Sequence, residues 1–401
     1  MILYNARIVT MSGENIENGF IEIRDGKIYN LGNMENMPKQ TDEYTDLDGK
    51  TVYPGFIDIH SHIGVWEDGL GFEGDDGNEE TDAATPHLRA VDMINPMDRC
   101  FTEAAKAGVT SVISGMGSAN AIGGTFLAMK TAGSKNIDKR IIKNPIAMKF
   151  ALGENPKSVY KDKDTAPITR MATAAIIREN LYKAKRYLSD MEEYQRLQGT
   201  DDEVDMPDYD AKCEALIPLL KKEIPAHFHC HRADDIFTAI RISKEFDINY
   251  VLIHCTEGHL IAEELKEENA VAVVGPVLCD RSKPELRNHT IETASALYKA
   301  GVKIAICNDH PVVPQQYLPL SAALTVRGGL TEEEALKAIT INAAEIGGIA
   351  DRTGSIAVGK DADLVVSLVP DNKKRGTFAL SFSPSESFVT TKVYKVITQL
   401  L

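Results

Sequence analysis

Two hydrophobic periods divide this chain. Near its ends apolar and polar residues alternate at every second position, as in ILYNARIVT (residues 2–10) and GFIEIRDGKIYNLG (19–32), where Asp25-Gly26 marks a hairpin. GSIAVGKDADLVVSLV, from Gly354 to Val369, repeats the pattern. Two strand-rich ends around a different middle predict one small β-domain built from residues 1–53 and 352–401. In the middle, apolar β-rich runs recur at Val109–Ser114, Pro145–Leu152, Ile224–Cys230, Tyr250–His254, Val271–Val274 and Val302–Cys307. Helical periods accompany most of them, at Pro96–Ala107, Asp234–Phe246, Leu260–Glu268, Thr290–Ala300 and Thr331–Ile346. Such alternation predicts a parallel sheet. The run before His60 makes seven strands and a weaker one near Gly124–Met129 makes eight, enough to close a barrel. The predicted fold class is therefore α/β: a (β/α)8 TIM-like barrel over residues 54–351, with a small β-sandwich domain from the two termini. Residues 153–222 are too long for a bare connection. Their loop (Gly153 to Pro167), charged helical stretch (Ile168 to Gln198) and acidic linker (Thr200 to Asp210) predict either a helical insertion or lid, or an elaborated outer helix layer.

Composition narrows the function classes. The 401 residues, 43% apolar and 26% charged, suit a soluble globular protein of one large and one small domain. A formal net charge of −15 argues against nucleic acid and against an anionic membrane as partner. No apolar stretch approaches membrane-spanning length, and Met1 to Val9 reads as a strand rather than a signal peptide. Cys100, Cys213, Cys230, Cys255, Cys279 and Cys307 are scattered without a Cys-x-x-Cys pair, so free thiols in a reducing cytoplasm are expected.

Candidate chemistry gathers at the ends of the predicted strands. PGFIDIHSH (54–62) drives an apolar run into His60 and His62, and residues i and i+2 of a strand project together, a chelating geometry. A later strand ends in His227, His229 and His231. YVLIH ends at His254, and VKIAIC runs into Asn308, Asp309 and His310. In a barrel the site lies at the C-terminal ends of the strands. Ten histidines placed at random would rarely end so many strands.

These segments resemble the amidohydrolase superfamily of metal-dependent hydrolases. INAAEIGGIADRTGSIAVGKDADLVV (341–366) is similar to its C-terminal signature, where the chain leaves the barrel for the β-domain. HCHRADD (229–235), HCTEG (254–258) and NDHP (308–311) resemble motifs of the imidazolonepropionase-like and Xaa-Pro-dipeptidase-like branch. The likeness covers nearly the whole chain, excluding parts of 155–222 and the last thirty residues.

The resemblance implies roles residue by residue. His60 and His62 match ligands of a first metal, His254 a sixth-strand ligand, and Asp309 a carboxylate that touches metal and water. The fifth-strand ligand is His229 or His231. His229 is preferred, leaving His231 to face substrate and His227 in the core. A second metal needs a bridging anion, commonly a carbamylated lysine in this superfamily. Lys149 lies in the apolar run PIAMKFALG, where a bare ammonium is costly and carbamylation removes the charge. Its rival is Glu154, and with neither the site holds one metal. Imidazole and carboxylate suit zinc, with manganese, iron or nickel as other candidates. A coordinated water becomes acidic enough to supply hydroxide, and Asp309 and His254 are the catalytic candidates.

The resulting expectation is hydrolysis of an amide, peptide or cyclic amide C–N bond in a small substrate. The alternatives are a deaminase on the same scaffold and an inactive assembly protein. Deaminating relatives usually place a glutamate three residues after the fifth-strand histidine. Here that position holds Arg232 or Asp234. The glycine-tyrosine-glycine loop of imidazolonepropionase is not evident either. Acidic residues after His62 (Glu67, Asp68, Glu73, Asp75, Asp76, Glu79, Glu80 and Asp82) read as a solvated loop or as recognition of a cationic group. Arg232 is a candidate partner for a substrate carboxylate or for Asp234 or Asp235. Arg170 and Arg178 are weaker candidates. The glycine-rich MGSANAIGG (116–124) predicts close backbone approach or a tight turn. Barrels of this kind often associate, which leaves a homo-oligomer as one candidate state that the sequence does not decide.

Overall fold

The computed structural model describes residues 1–39, 43–68, 71–202 and 204–367, with the backbone of Ala379–Phe382. The rest of the predicted 352–401 segment lies outside the described residues. The chain opens with β1 (Ile2–Ile8), β2 (Ile16–Arg24), β3 (Lys27–Asn33), β4 (Tyr44–Asp46) and β5 (Thr51–Pro54). It then builds the barrel: β6 (Phe56–Ser61), α1 (Arg99–Lys106), β7 (Val109–Ser114), β8 (Ile122–Lys130) and β9 (Ile141–Ala151). Three helices follow, α2 (Glu154–Lys161), α3 (Arg170–Leu197) and α4 (Ala211–Leu220). Next come β10 (Ala226–Cys230), α5 (Ala233–Phe246), β11 (Tyr250–His254), α6 (Ala262–Glu267), β12 (Val271–Val274), α7 (Thr293–Ala300) and β13 (Lys303–Ile306). The described chain closes with α8 (Leu318–Arg327), α9 (Glu332–Ala338), α10 (Ile341–Ile346), β14 (Leu364–Ser367) and β15 (Ala379–Phe382).

Two sheets result. The terminal strands share one seven-stranded sheet in the order β15-β14-β5-β1-β2-β3, with β4 beside β1. The other has eight strands in the order β6 to β13. One of the eight departs from the expected parallel barrel. β8 pairs antiparallel with both β7 and β9, whereas the β9-to-β13 ladders are parallel. Only residues 115–121 separate β7 from β8, without a helix. A parallel return needs a crossover of a dozen residues or more, so the chain must double back. Reversal brings the 115–121 turn to the end of the barrel where the parallel strands finish.

The core is layered. Ile57, Ile59, Phe126, Ala147, Val251, Ile253, Val273 and Ala305 fill the barrel interior. Val112, Met148, Phe150, Phe228, Leu252 and Ile304 face outward against helices. Ile177, Leu181 and Ala184 of α3 and Leu216 and Leu219 of α4 belong to that same outer layer. The predicted helix Thr331–Ile346 is broken between α9 and α10. The opening frees the Ile339 carbonyl to accept the Ile57 N–H at 2.8 Å, anchoring β6 at the bottom of the barrel.

The seam between β13 and β6 is bridged by a side chain. Asp58, fully buried, accepts from the Asn308 N–H at 2.9 Å and from Gln315 Nε2 at 2.6 Å. The His62 N–H completes the join by donating to the His310 carbonyl at 3.0 Å. Burial pushes the Asp58 carboxyl up to about 7, against the pull of those donors. Among the described residues no helix is long and apolar enough to cross a membrane.

Candidate metal centre

Strand alternation alone would not assemble this site. On β6, Ile57 and Ile59 face the interior, so strict alternation would turn His60 outward. The pairing with β7 is irregular between Asp58 and Ser61, and such irregularities re-aim side chains. His60 and His62 consequently stand together, ring centres 5.1 Å apart, with His60 stacked on Phe126 at 5.4 Å. Asp309 meets them from the end of β13, its Oδ1 3.1 Å from His62 Nε2 and 3.6 Å from His60 Nε2. Lys149 Nζ lies 3.3 Å from His60 Nε2. The backbone is bent to suit. His254 (φ 74°), Cys255 (φ 48°) and Asp309 (φ 54°) occupy left-handed conformations that ordinary residues avoid. At β11 this reverses the alternation, keeping His254 inside after inward-facing Ile253.

Across the mouth a second group forms. His229, His231 and His254 offer ligand atoms all within 4.8 Å of one another, and His60, His254 and Asp309 form an overlapping set. Each ring in the second group is fixed through Nδ1: His229 by Ser118 Oγ at 3.0 Å, His231 by Thr256 Oγ1 at 2.8 Å and His254 by the Gly275 carbonyl at 2.7 Å. His62 Nδ1 donates to the Gly115 carbonyl at 2.7 Å. The carbonyls of Gly115 and Gly275 fix Nδ1–H on His62 and His254, and the hydroxyls of Ser118 and Thr256 fix the direction of the other two rings so that Nε2 faces the centre, as metal-binding histidines require.

Burial, the largest influence, drives His60, His229 and His231 well below the ordinary histidine range, with nearby Lys149 or His254 adding to it. The same cause lowers His254 to about 4 and Lys149 to about 8. Burial would raise Asp309, yet His254, His62 and Lys149 outweigh it and hold the carboxyl below the usual range. The site thus offers neutral imidazoles and an ionised carboxylate. His229 Nε2 and His254 Nε2 are buried without a hydrogen-bond partner. Buried polar atoms are normally satisfied. An unpaired His254 Nε2 beside the ionised Asp309, with an unpaired His229 Nε2 in the adjoining histidine group, fits a divalent cation.

Comparison with known proteins gives the family. The amidohydrolase family model matches residues 51–399. The chain belongs to the amidohydrolase family. An amidohydrolase structure from Thermotoga maritima MSB8 is 42% identical, with a TM-score of 0.89 over 96% of this chain and 98% of that one. Imidazolonepropionase of Porphyromonas gingivalis is 26% identical over 88% of this chain and 84% of its own length. Amidohydrolase tasK of Hapsidospora irregularis is 30% identical over 80% of this chain, which spans only 34% of that larger protein.

Within this amidohydrolase the remaining candidates separate. His227 is buried beneath the site, its ring 6.5 Å from that of His60. Glu154 Oε2 accepts the Glu285 N–H at 3.4 Å, away from His60. Arg232 is bound through two nitrogens to Asp234, at 3.0 and 2.8 Å. Arg170 holds Asp235 at 3.0 Å and Arg178 holds Glu245 at 2.6 Å. In the acidic loop Asp68 pairs with Arg99, Glu80 with Lys163 and Asp82 with Lys212, at 2.7, 3.0 and 2.5 Å. Trp66 from that loop lies edge-on to His62 at 5.1 Å. A Cβ on Gly117 would come within 2.8 Å of Trp66, so the glycine-rich turn packs directly under the loop.

Four polar residues of the site had not been singled out: Ser118, Thr256, Lys283 and Glu285. Ser118 lies in the glycine-rich turn, which the reversal of β8 carries to the mouth. Lys283 and Glu285 follow β12, whose end carries no histidine to draw attention. A search of every loop after a strand, rather than only those ending in histidine, would have found them.

Proposed function

We propose that this chain is a metal-dependent hydrolase of an amide, peptide or cyclic amide C–N bond in a small substrate. The observation that carries the reading is the meeting of buried imidazoles in two groups that share His254, one of them containing the ionised Asp309, with the Nε2 atoms of His229 and His254 unpaired. His60, His62 and Asp309 would hold one ion, and His229 and His254 a second, with Lys149 as the bridging candidate. Zinc heads the candidates for such a nitrogen-and-oxygen donor set, ahead of manganese, iron or nickel. A divalent ion bound there lowers the pKa of a water and polarises the scissile carbonyl.

The chain's own residues supply the rest. Asp309, ionised and 3.1 Å from His62 Nε2, would take the proton of the attacking water and return it to the leaving nitrogen. Trp66, edge-on to His62, and the turn containing Gly117 border one side of the site. Hydrolysis is favoured over deamination because Arg232 and Asp234, where a proton-shuttling glutamate would stand, are bonded to each other. The cysteines are free among the described residues, which supports a reducing compartment such as the cytoplasm.

The test is a panel of dipeptides, N-acyl amino acids and cyclic amides offered to metal-reconstituted protein. At least one class should yield amine and carboxylate, with activity lost on chelation and restored by metal. Turnover indifferent to chelation, or a chain that takes up no transition metal, would sink the reading.

A further inference from the structure

Glu285 sits in the 3-10 turn Pro284–Leu286 beyond β12, buried although it carries a carboxylate. Oε1 lies 2.7 Å from Lys283 Nζ, and Oε2 accepts the Glu154 N–H at 2.9 Å. Gly153 (φ 85°) packs against it so closely that a Cβ there would come 2.7 Å from Oε2. The carboxylate is therefore ionised and fixed in direction. It points at two rings: Oε1 is 3.6 Å from His231 Nε2 and 3.8 Å from His229 Nε2.

Those separations decide what the contact is. An N–H···O hydrogen bond spans about 2.7–3.2 Å, so neither ring is hydrogen-bonded to Glu285. Four ligands at about 2.0–2.2 Å around a tetrahedral ion stand roughly 3.3–3.6 Å from one another. The gap to His231 meets the upper end of that range and the gap to His229 lies just beyond it. His254 joins the two rings, its ligand atom within 4.8 Å of those of His229 and His231, while Glu285 is in direct reach of His229 and His231 alone. All three rings have Nδ1 engaged elsewhere, so each presents Nε2 to the group.

We propose that His231 and Glu285 join His229 and His254 in a three-histidine, one-carboxylate site for a divalent transition ion, complete without an oxygen from Lys149. The inference rests on the reading of the centre as metal-binding and enlarges its ligand set by two residues. Lys149 need not be carbamylated for this second position to fill, and His231 becomes a ligand rather than a substrate contact.

Elemental analysis of the full-length, zinc-loaded chain tests it. The unsubstituted protein should carry about two equivalents of zinc, and Glu285→Gln and His231→Asn about one each. Lys149→Met should keep the second equivalent, while His60→Ala with His62→Ala should lose the other. Cobalt-loaded protein gives a second readout. Its tetrahedral absorption bands should weaken in Glu285→Gln and His231→Asn while the circular dichroism spectrum stays unchanged. Full zinc in both of those variants, or loss of the second equivalent in Lys149→Met, overturns the inference and leaves the hydrolase reading standing. A single equivalent in the unsubstituted protein, untouched by either substitution, does the same. An unsubstituted chain that binds no metal overturns both.

Discussion

The two sides of the centre are built by different means. On the β6 side the strand itself delivers the chemistry, with His60 and His62 two residues apart and Asp309 arriving from the adjoining β13. Asp58 locks those strands together from below. On the β10–β11 side strand ends supply the rings, but loops aim them: Ser118 from the turn before β8, Thr256 after β11 and Gly275 after β12. On the first side one ring, His62, is held by a loop carbonyl, that of Gly115; on the second all three rings are held by loops. Direct loss of a reacting group should therefore hurt most on the first side, and loss of an orienting contact on the second.

The largest effect tests the β6 side. Asp309→Asn should lower kcat by about 10²–10⁴-fold, the usual worth of a positioned proton acceptor. A fall of less than about tenfold in steady-state assays would remove Asp309 from the proton path. A smaller effect is expected across the mouth. Ser118→Ala leaves every ligand in place but frees His229 to rotate, which should weaken metal affinity about 10–100-fold. Competition with a chromophoric chelator measures it, and an unaltered affinity would mean that packing alone orients the ring. The smallest concerns the rim. The half-exposed Arg232–Asp234 pair should contribute under about 1 kcal/mol, so Arg232→Ala should barely move the urea midpoint or KM. A tenfold rise in KM would return Arg232 to the substrate.

The same division explains what the sequence could disclose. β11 and β12 coincide with the runs Tyr250–His254 and Val271–Val274, because short apolar β-branched segments in an alternating chain have few other places to go. His60, His62, His254 and Asp309 were legible because each ends such a run. Strand direction was not legible: an apolar run reads the same either way, and only the shortness of residues 115–121 betrays that β8 must reverse. Nor was Glu285, whose Arg-Ser-Lys-Pro-Glu context resembles any surface turn until folding buries it beside His231. The break at Ile339-Thr340 was hidden because the group that takes up the freed carbonyl, the Ile57 N–H, lies far away in sequence.

The reversed strand has a consequence for how the barrel comes into being. β7, β8 and β9 form a meander whose turns are short, while every parallel pair must wait for a long crossover to be ordered. Closing short loops sacrifices less chain entropy, and topologies of local contacts assemble faster. The meander is thus the segment able to pair while the rest of the chain is still emerging, presenting a ready-made edge at β9 for β10. Pulse-labelled hydrogen exchange during refolding should find amides of β7–β9 protected ahead of those in β11–β13, and simultaneous protection would show that the barrel closes all at once.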